Sequence, residues 1–149
     1  EKFKVVIVRP PMIYGKGSKG NYPLLAKMAK RLPVFPNVVN ERSMLYIDNL
    51  CEFLAQVMIR GEEGIFWPQN KEYSRTSEMV KQIAEVNQHR IYVSKMWNWI
   101  VALASKVPGK IGNLTNKAFG NLSYDQELSR CDFEYCVFNL QESIKETEG

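Results

Sequence analysis

The residues able to do chemistry are few and scattered. Gly15-Lys16-Gly17-Ser18-Lys19-Gly20 spells G-x-G-x-x-G after an apolar run and ahead of a helix-forming stretch, with Glu41 roughly twenty residues further on, as in turns whose backbone N–H groups hold a dinucleotide pyrophosphate. Such a turn must follow its strand directly, so that the pyrophosphate meets the helix N-terminus. Six residues, two of them proline, separate Val8 from Gly15, which favours a flexible loop over a ligand. His89 is the single imidazole, and its polar setting, Asn87-Gln88-His89-Arg90, reads as a solvated turn. Any Ser-His-Asp or Cys-His site would have to depend on it. Glu62-Glu63, flanked by Gly61 and Gly64, reads as an exposed turn rather than an acid–base pair. Cys51, Cys131 and Cys136 are odd in number and lack zinc-like spacing, so no metal site is expected and a reduced, cytoplasmic protein is the simple reading.

Arg42 and Phe35 suggest a binding site. Arg42 precedes an apolar stretch and Phe35 follows Pro33-Val34, so a guanidinium fork could hold a diphosphate while a ring stacks on a base. The alternatives are a surface ion pair for Arg42 and a core ring for Phe35. Charge leans toward an anion. The net charge is +4, yet residues 1–42 carry nine Lys/Arg against Glu1 and Glu41, while the remainder carries eleven against fourteen acids. No run of five like charges occurs, so a small phosphate-bearing ligand explains the bias at least as well as nucleic acid does.

These residues must be positioned by short elements of an α/β chain. At 149 residues, 45% hydrophobic and 24% charged, the composition is that of one globular domain or one lobe of a larger protein. Val5–Val8 is apolar without alternation, the pattern of a strand buried on both faces in a parallel sheet. Pro10 and Pro11 end it. Asn21 is expected to cap a helix carrying Leu24, Leu25, Met28 and Leu32 inward, stopped at Pro33. Met44–Ile47 reads as a strand, and Asp48 as the cap of a helix burying Leu50, Leu54, Val57 and Met58. Ile65–Trp67 and Ile91–Val93 are further short strands. Thr76 is expected to cap a helix with Met79, Val80, Ile83 and Ala84 inward. A fourth helix turns Trp97, Ile100, Val101 and Ala104 one way, and a small helix starts near Asp125. Asn139-Leu140-Gln141-Glu142 opens a last helix with a capping box. The longest apolar stretch, Met96–Ala104, is too short to cross a bilayer.

Three segments, taken in order, resemble a known family. Val6-Ile7-Val8-Arg9-Pro10-Pro11-Met12-Ile13-Tyr14-Gly15-Lys16-Gly17 is similar to the l-R-p-x-x-x-Y-G-p-g segment of extended short-chain dehydrogenase/reductases, the nucleotide-sugar epimerases and dehydratases. Leu32-Pro33-Val34-Phe35-Pro36, followed by Arg42-Ser43-Met44-Leu45-Tyr46-Ile47-Asp48, resembles a later stretch of that family, and Ser123-Tyr124-Asp125 resembles a segment before its last helix. The likeness is nearest to the UDP-glucose 4-epimerase-like branch and covers nearly all of residues 1–149, but only the family's C-terminal, substrate-binding region. It implies that the first strand belongs to the edge of an NAD-binding domain lying outside this chain. It also implies that Asn21 and Tyr22 contact the substrate diphosphate and sugar, that Phe35 packs on uracil, and that Arg42 binds the diphosphate, with Lys117 as a second cation. Pro10, Pro11 and Met12 would line the turn beside the nicotinamide and reacting sugar. Met12 stands where many members carry asparagine.

By the same resemblance the ligand is a UDP-sugar and the cofactor NAD, held mainly by residues outside this chain. The intact enzyme oxidises a sugar carbon and returns hydride to the opposite face. No Tyr here has Lys four residues later, so no catalytic residue is assigned and the isolated chain is expected to be inactive. Two alternatives stay open: an NADPH-dependent reductase of the same superfamily, and a non-catalytic interaction module. The reading expects no membrane partner, does not favour nucleic acid, and leaves a homodimer open.

Overall fold

The computed structural model describes residues 3–149. Six strands of three residues pair two by two, always in parallel: β1 (Val6–Val8) with β5 (Gly64–Phe66), β2 (Met12–Tyr14) with β4 (Met44–Tyr46), and β3 (Val34–Pro36) with β6 (Tyr92–Ser94). Parallel neighbours need long crossovers. Helices α1 (Tyr22–Arg31), α2 (Ile47–Arg60) and α3 (Thr76–Val86) lie within those crossovers, and α4 (Asn98–Lys106), α5 (Lys110–Phe119) and α6 (Leu140–Glu148) follow the last strand. The chain is α/β, as its alternation of apolar runs and amphipathic stretches implies.

β1 ends ahead of Pro10 and Pro11, as read, and a separate strand follows directly after them. Arg9 still donates its N–H to Phe66 at 2.8 Å, and β2 begins at Met12, a strand too short for its periodicity to register. β1 is not buried on both faces. Val6 and Val8 pack with Phe66 against Phe53 and Val57 of α2, whereas Val5 and Ile7 are 62% and 43% exposed. Among the described residues α2 covers one face of the apolar run, and Val5 and Ile7 lie on the other.

Three caps differ from expectation, two of them because the partner comes from a distant segment. Asn21 makes no side-chain cap to α1; its amide reaches the Lys117 carbonyl at 3.4 Å. Thr76 is the first residue of α3 rather than its cap, and its N–H donates to Asn40 Oδ1 at 3.0 Å. Asp48 lies in the first turn of α2, one residue inside the start at Ile47. The buried face of α2 is accordingly Asn49, Phe53 and Val57, with Leu54 and Met58 39% and 75% exposed. Asn49 is drawn inward because its side chain donates to Phe138 O at 2.9 Å and accepts from Phe138 N at 3.0 Å. Gly61 (φ 63) closes α2 in the left-handed conformation that glycine adopts without cost.

The face of α3 is as read, with Met79, Val80, Ile83 and Ala84 buried. The segment after Asp125 forms only a 3-10 turn, Gln126–Ser129, with Asp125 accepting from Glu127 N at 2.9 Å. The capping box at Asn139 and Glu142 is present, both bonds at 2.9 Å. One core gathers Tyr14, Leu25, Ala29, Phe35, Met44, Val80 and Ile83; a second gathers Leu45, Phe53, Val57 and Tyr135.

Candidate functional site

The backbone of Arg42 is held from both sides. Arg42 and Ser74 exchange N–H···O bonds at 3.0 and 2.9 Å, while Ser43 N donates to Leu122 O at 2.9 Å and Leu122 N to Glu41 O at 3.0 Å. This brackets Arg42, two residues ahead of β4, between two other segments and sends its side chain beneath the end of α5. There Nη1 donates to the carbonyls of Lys117 and, at 3.1 Å, of Gly120. A cation at the carbonyl end of a helix meets both unpaired acceptors and the negative end of the helix dipole.

Arg42 is only 6% exposed, and none of the ion pairs among the described residues includes it. It is therefore not a surface ion pair. Burial pushes its guanidinium below the ordinary value, since desolvation disfavours the charged form. Arg42 lines a cleft of about 550 Å³ with Met12, Asn21, Asn116, Lys117 and Asn121. The Lys117 carbonyl is the knot of this cluster, accepting from both Arg42 and Asn21. A buried cation balanced only by carbonyl dipoles, in a cleft rimmed by amides and an exposed lysine, is suited to an anion with several oxygen acceptors.

Four of the eight residues named from sequence thus meet here: Met12, Asn21, Arg42 and Lys117. Tyr22 does not. It is 3% exposed, stacks on Tyr14 with ring centroids 5.5 Å apart, and donates its hydroxyl to Glu148 at 3.0 Å. Phe35 is fully buried and stacks on Phe119 at 5.6 Å. Together they border an apolar cavity of about 290 Å³ with Met28, Val34, Trp97 and Val101. Helix α5 divides the two spaces, since Asn113, Asn116 and Lys117 line the Arg42 cleft while Thr115 and Phe119 line the apolar cavity. Pro10 and Pro11 lie half-exposed beyond the end of β1, the side of a parallel sheet where ligands bind in open α/β folds. Sequence reasoning missed Asn113, Asn116 and Asn121. The spacing of the first two, one helical turn apart, was the available signal.

Known proteins resemble the chain as a whole. UDP-glucose 4-epimerase of Vibrio cholerae is 26% identical over 127 residues, covering 82% of this chain and 38% of that protein. An uncharacterized protein of Sinorhizobium fredii is 33% identical over 87 residues, covering 56% of this chain and 24% of its own length. UDP-N-acetylglucosamine 4-epimerase from Bacillus cereus shares the fold with a TM-score of 0.55 at 13% identity, over 97% of this chain and 45% of that one. The dTDP-glucose 4,6-dehydratase of Bacillus anthracis, solved with NAD, has a TM-score of 0.56 at 16% identity, over 95% of this chain and 42% of its own. The chain is similar to the C-terminal part of the NAD-dependent epimerase/dehydratase family. No family model matches it. It spans less than half the length of the curated relatives it matches.

Within this epimerase/dehydratase-like chain, the first glycine of the loop has a packing role. β2 does end at Tyr14, directly before Gly15, so the turn follows a strand after all. However, a Cβ on Gly15 would come within 2.4 Å of Ile47 Cγ2, so this glycine permits packing against the start of α2. Gly17 (φ 78) takes the left-handed conformation that glycine adopts without cost. Pro10 and Pro11 have no N–H to donate. The two prolines therefore offer no backbone donor to a dinucleotide pyrophosphate.

The other sequence candidates are structural. His89 is half-buried rather than solvated; its Nε2 lies 3.0 Å from the Leu32 carbonyl and joins the ends of α1 and α3. Burial raises the Cys131 thiol, and burial together with Glu134 raises Cys136 to about 11. Both are therefore poor nucleophiles at neutral pH.

Proposed function

We propose that this chain is the substrate-binding part of a nucleotide-sugar epimerase or dehydratase that works with a nicotinamide cofactor, and that the cleft beside Arg42 takes the substrate diphosphate. The observation that carries the reading is the buried guanidinium of Arg42, without a carboxylate partner among the described residues, at the wall of a cleft lined by Asn21, Asn116, Asn121 and Lys117. The likeness to the Vibrio epimerase supports a nucleotide-sugar ligand. A UDP-hexose is the first candidate. In this reading Arg42 donates to the diphosphate through N–H groups that the α5 carbonyls leave free, Lys117 adds its charge from the rim, and Asn21 and Asn116 donate amides. Met12 gives the sugar an apolar wall. Phe35 lies behind Phe119, so stacking of a base on Phe35 requires α5 to swing away; the diphosphate assignment does not need that movement.

Binding of a UDP-hexose to the full-length protein tests the assignment by calorimetry. Arg42→Ala is expected to weaken binding by about 2 kcal/mol or more, as for one partner of a desolvated charge pair. Arg42→Lys, which keeps charge but loses the fork, should recover part of it. Unchanged affinity in folded Arg42→Ala would refute the assignment. A reductase reading draws on a structural neighbour solved with NADPH, of TM-score 0.57 and 14% identity. Titration of the intact protein with NAD and NADPH separates the two.

A further inference from the structure

Helix α4 has two apolar stripes, and the fold uses only one. Trp97, Val101 and Ala104 turn inward and close the apolar cavity over Phe35. On the other side Trp99 and Leu103, one turn apart on α4, are each 58% exposed, and Met96 in the turn before the helix and Val107 just after it are 70% and 42% exposed. No residue of α4 is fully buried. Large apolar side chains grouped on one exposed face mark a contact surface rather than the scattered exposure common on proteins.

Charge says what covers this face. From Val86 to Tyr124 the sequence contains no Asp or Glu, while Arg90, Lys95, Lys106, Lys110 and Lys117 all fall within that span. Lys95 lies just before α4, Lys106 ends it, and Lys110 begins α5; all three are exposed. An apolar stripe carrying a tryptophan and bounded at both ends by lysines matches the two components of an anionic bilayer surface. The stripe enters the acyl boundary while the lysines remain among anionic headgroups. No described helix is long and apolar enough to cross a membrane, and a helix lying in the interface plane does not need to be.

We propose that the outer face of α4, with Lys95, Lys106 and Lys110, docks this protein on an anionic lipid surface. The proposal does not depend on the diphosphate assignment. Its test is sedimentation of the full-length protein with vesicles of phosphatidylcholine alone or mixed with phosphatidylglycerol. Sedimentation only with phosphatidylglycerol vesicles, reversed by salt, is expected. Leu103→Glu should abolish it, and Lys106→Gln and Lys110→Gln should each weaken it roughly five-fold. All three positions are exposed, so melting temperatures should stay near that of the parent. Tryptophan emission gives a readout without a charge variant: it should shift to the blue when phosphatidylglycerol vesicles are added, and Trp99→Phe should bind but lose most of that shift. Failure to sediment with anionic vesicles, or Leu103→Glu sedimenting like the parent, would overturn the proposal. So would a dimer in the absence of lipid that Leu103→Glu breaks, which would put a second copy on this face.

Discussion

Asn40, 1% exposed, donates its amide to the Thr76 hydroxyl at 2.9 Å and accepts from the Thr76 N–H at 3.0 Å. The same hydroxyl donates to Ala118 O at 2.6 Å, so one asparagine links the start of α3 to the end of α5, where Arg42 is seated. Asn40→Ala should cost about 1–2 kcal/mol in urea unfolding, since it removes a cap and strands buried polar groups. An unchanged midpoint would mean that water replaces the amide. Arg42 was legible as a candidate because its residue type and resemblance pointed to an anion. Asn40 was not, because its importance comes from a partner thirty-six residues away. Phe35 shows the opposite limit, since the same residue type serves a core or a stacking site and only burial distinguishes them.

Helices α1, α3 and α6 are joined by a single carboxylate. Glu148 near the end of α6 receives Lys30 Nζ at 2.7 Å, Asn87 Nδ2 at 3.0 Å and the Tyr22 hydroxyl at 3.0 Å. Burial alone would raise its pKa, but the donors from Lys30, Asn87 and Tyr22 outweigh that and hold it below the ordinary value. A carboxyl depressed in the folded state adds stability that is complete above its unfolded pKa and is lost as pH falls through the folded value. Melting temperature should therefore drop between about pH 5 and pH 3, and drop less in Glu148→Gln, which has no proton to gain. Equal slopes for parent and variant would remove Glu148 from the acid response. The helices themselves were readable from apolar spacing, but the rotation of α2 was not. Leu54 and Met58 fit the expected stripe as well as Phe53 does, and the buried Asn49 to Phe138 bonds decide between them.

At the level of the molecule, two apolar cores are joined by a buried polar chain. The Tyr14 hydroxyl lies 2.6 Å from Ser143 Oγ and accepts from Asn70 Nδ2 at 3.1 Å; Asn70 Oδ1 in turn accepts from Asn49 Nδ2 and Tyr46 N, each at 3.1 Å. This connects β2, β4 and α2 to α6. Tyr14→Phe keeps the ring packing but leaves Asn70 and Ser143 short of a partner, so a loss of about 1–2 kcal/mol is expected. Hydrogen exchange should show α6 opening first. If α6 kept its protection while global stability fell, the coupling assigned to Tyr14 would be wrong.

The sequence alone determined the α/β class, the position of most elements and the capping box of α6, and singled out Arg42 as a candidate. Those follow from local periodicity, from proline and glycine, and from residue chemistry, all of which act over a few neighbouring positions. Tertiary structure alone decided that Met12, Asn21, Arg42 and Lys117 share one cleft, that Tyr22 and Phe35 lie away from it, and that α4 keeps an uncovered apolar stripe. These depend on which distant carbonyl, ring or helix face fills the remaining space around each side chain, and a linear pattern does not specify that choice.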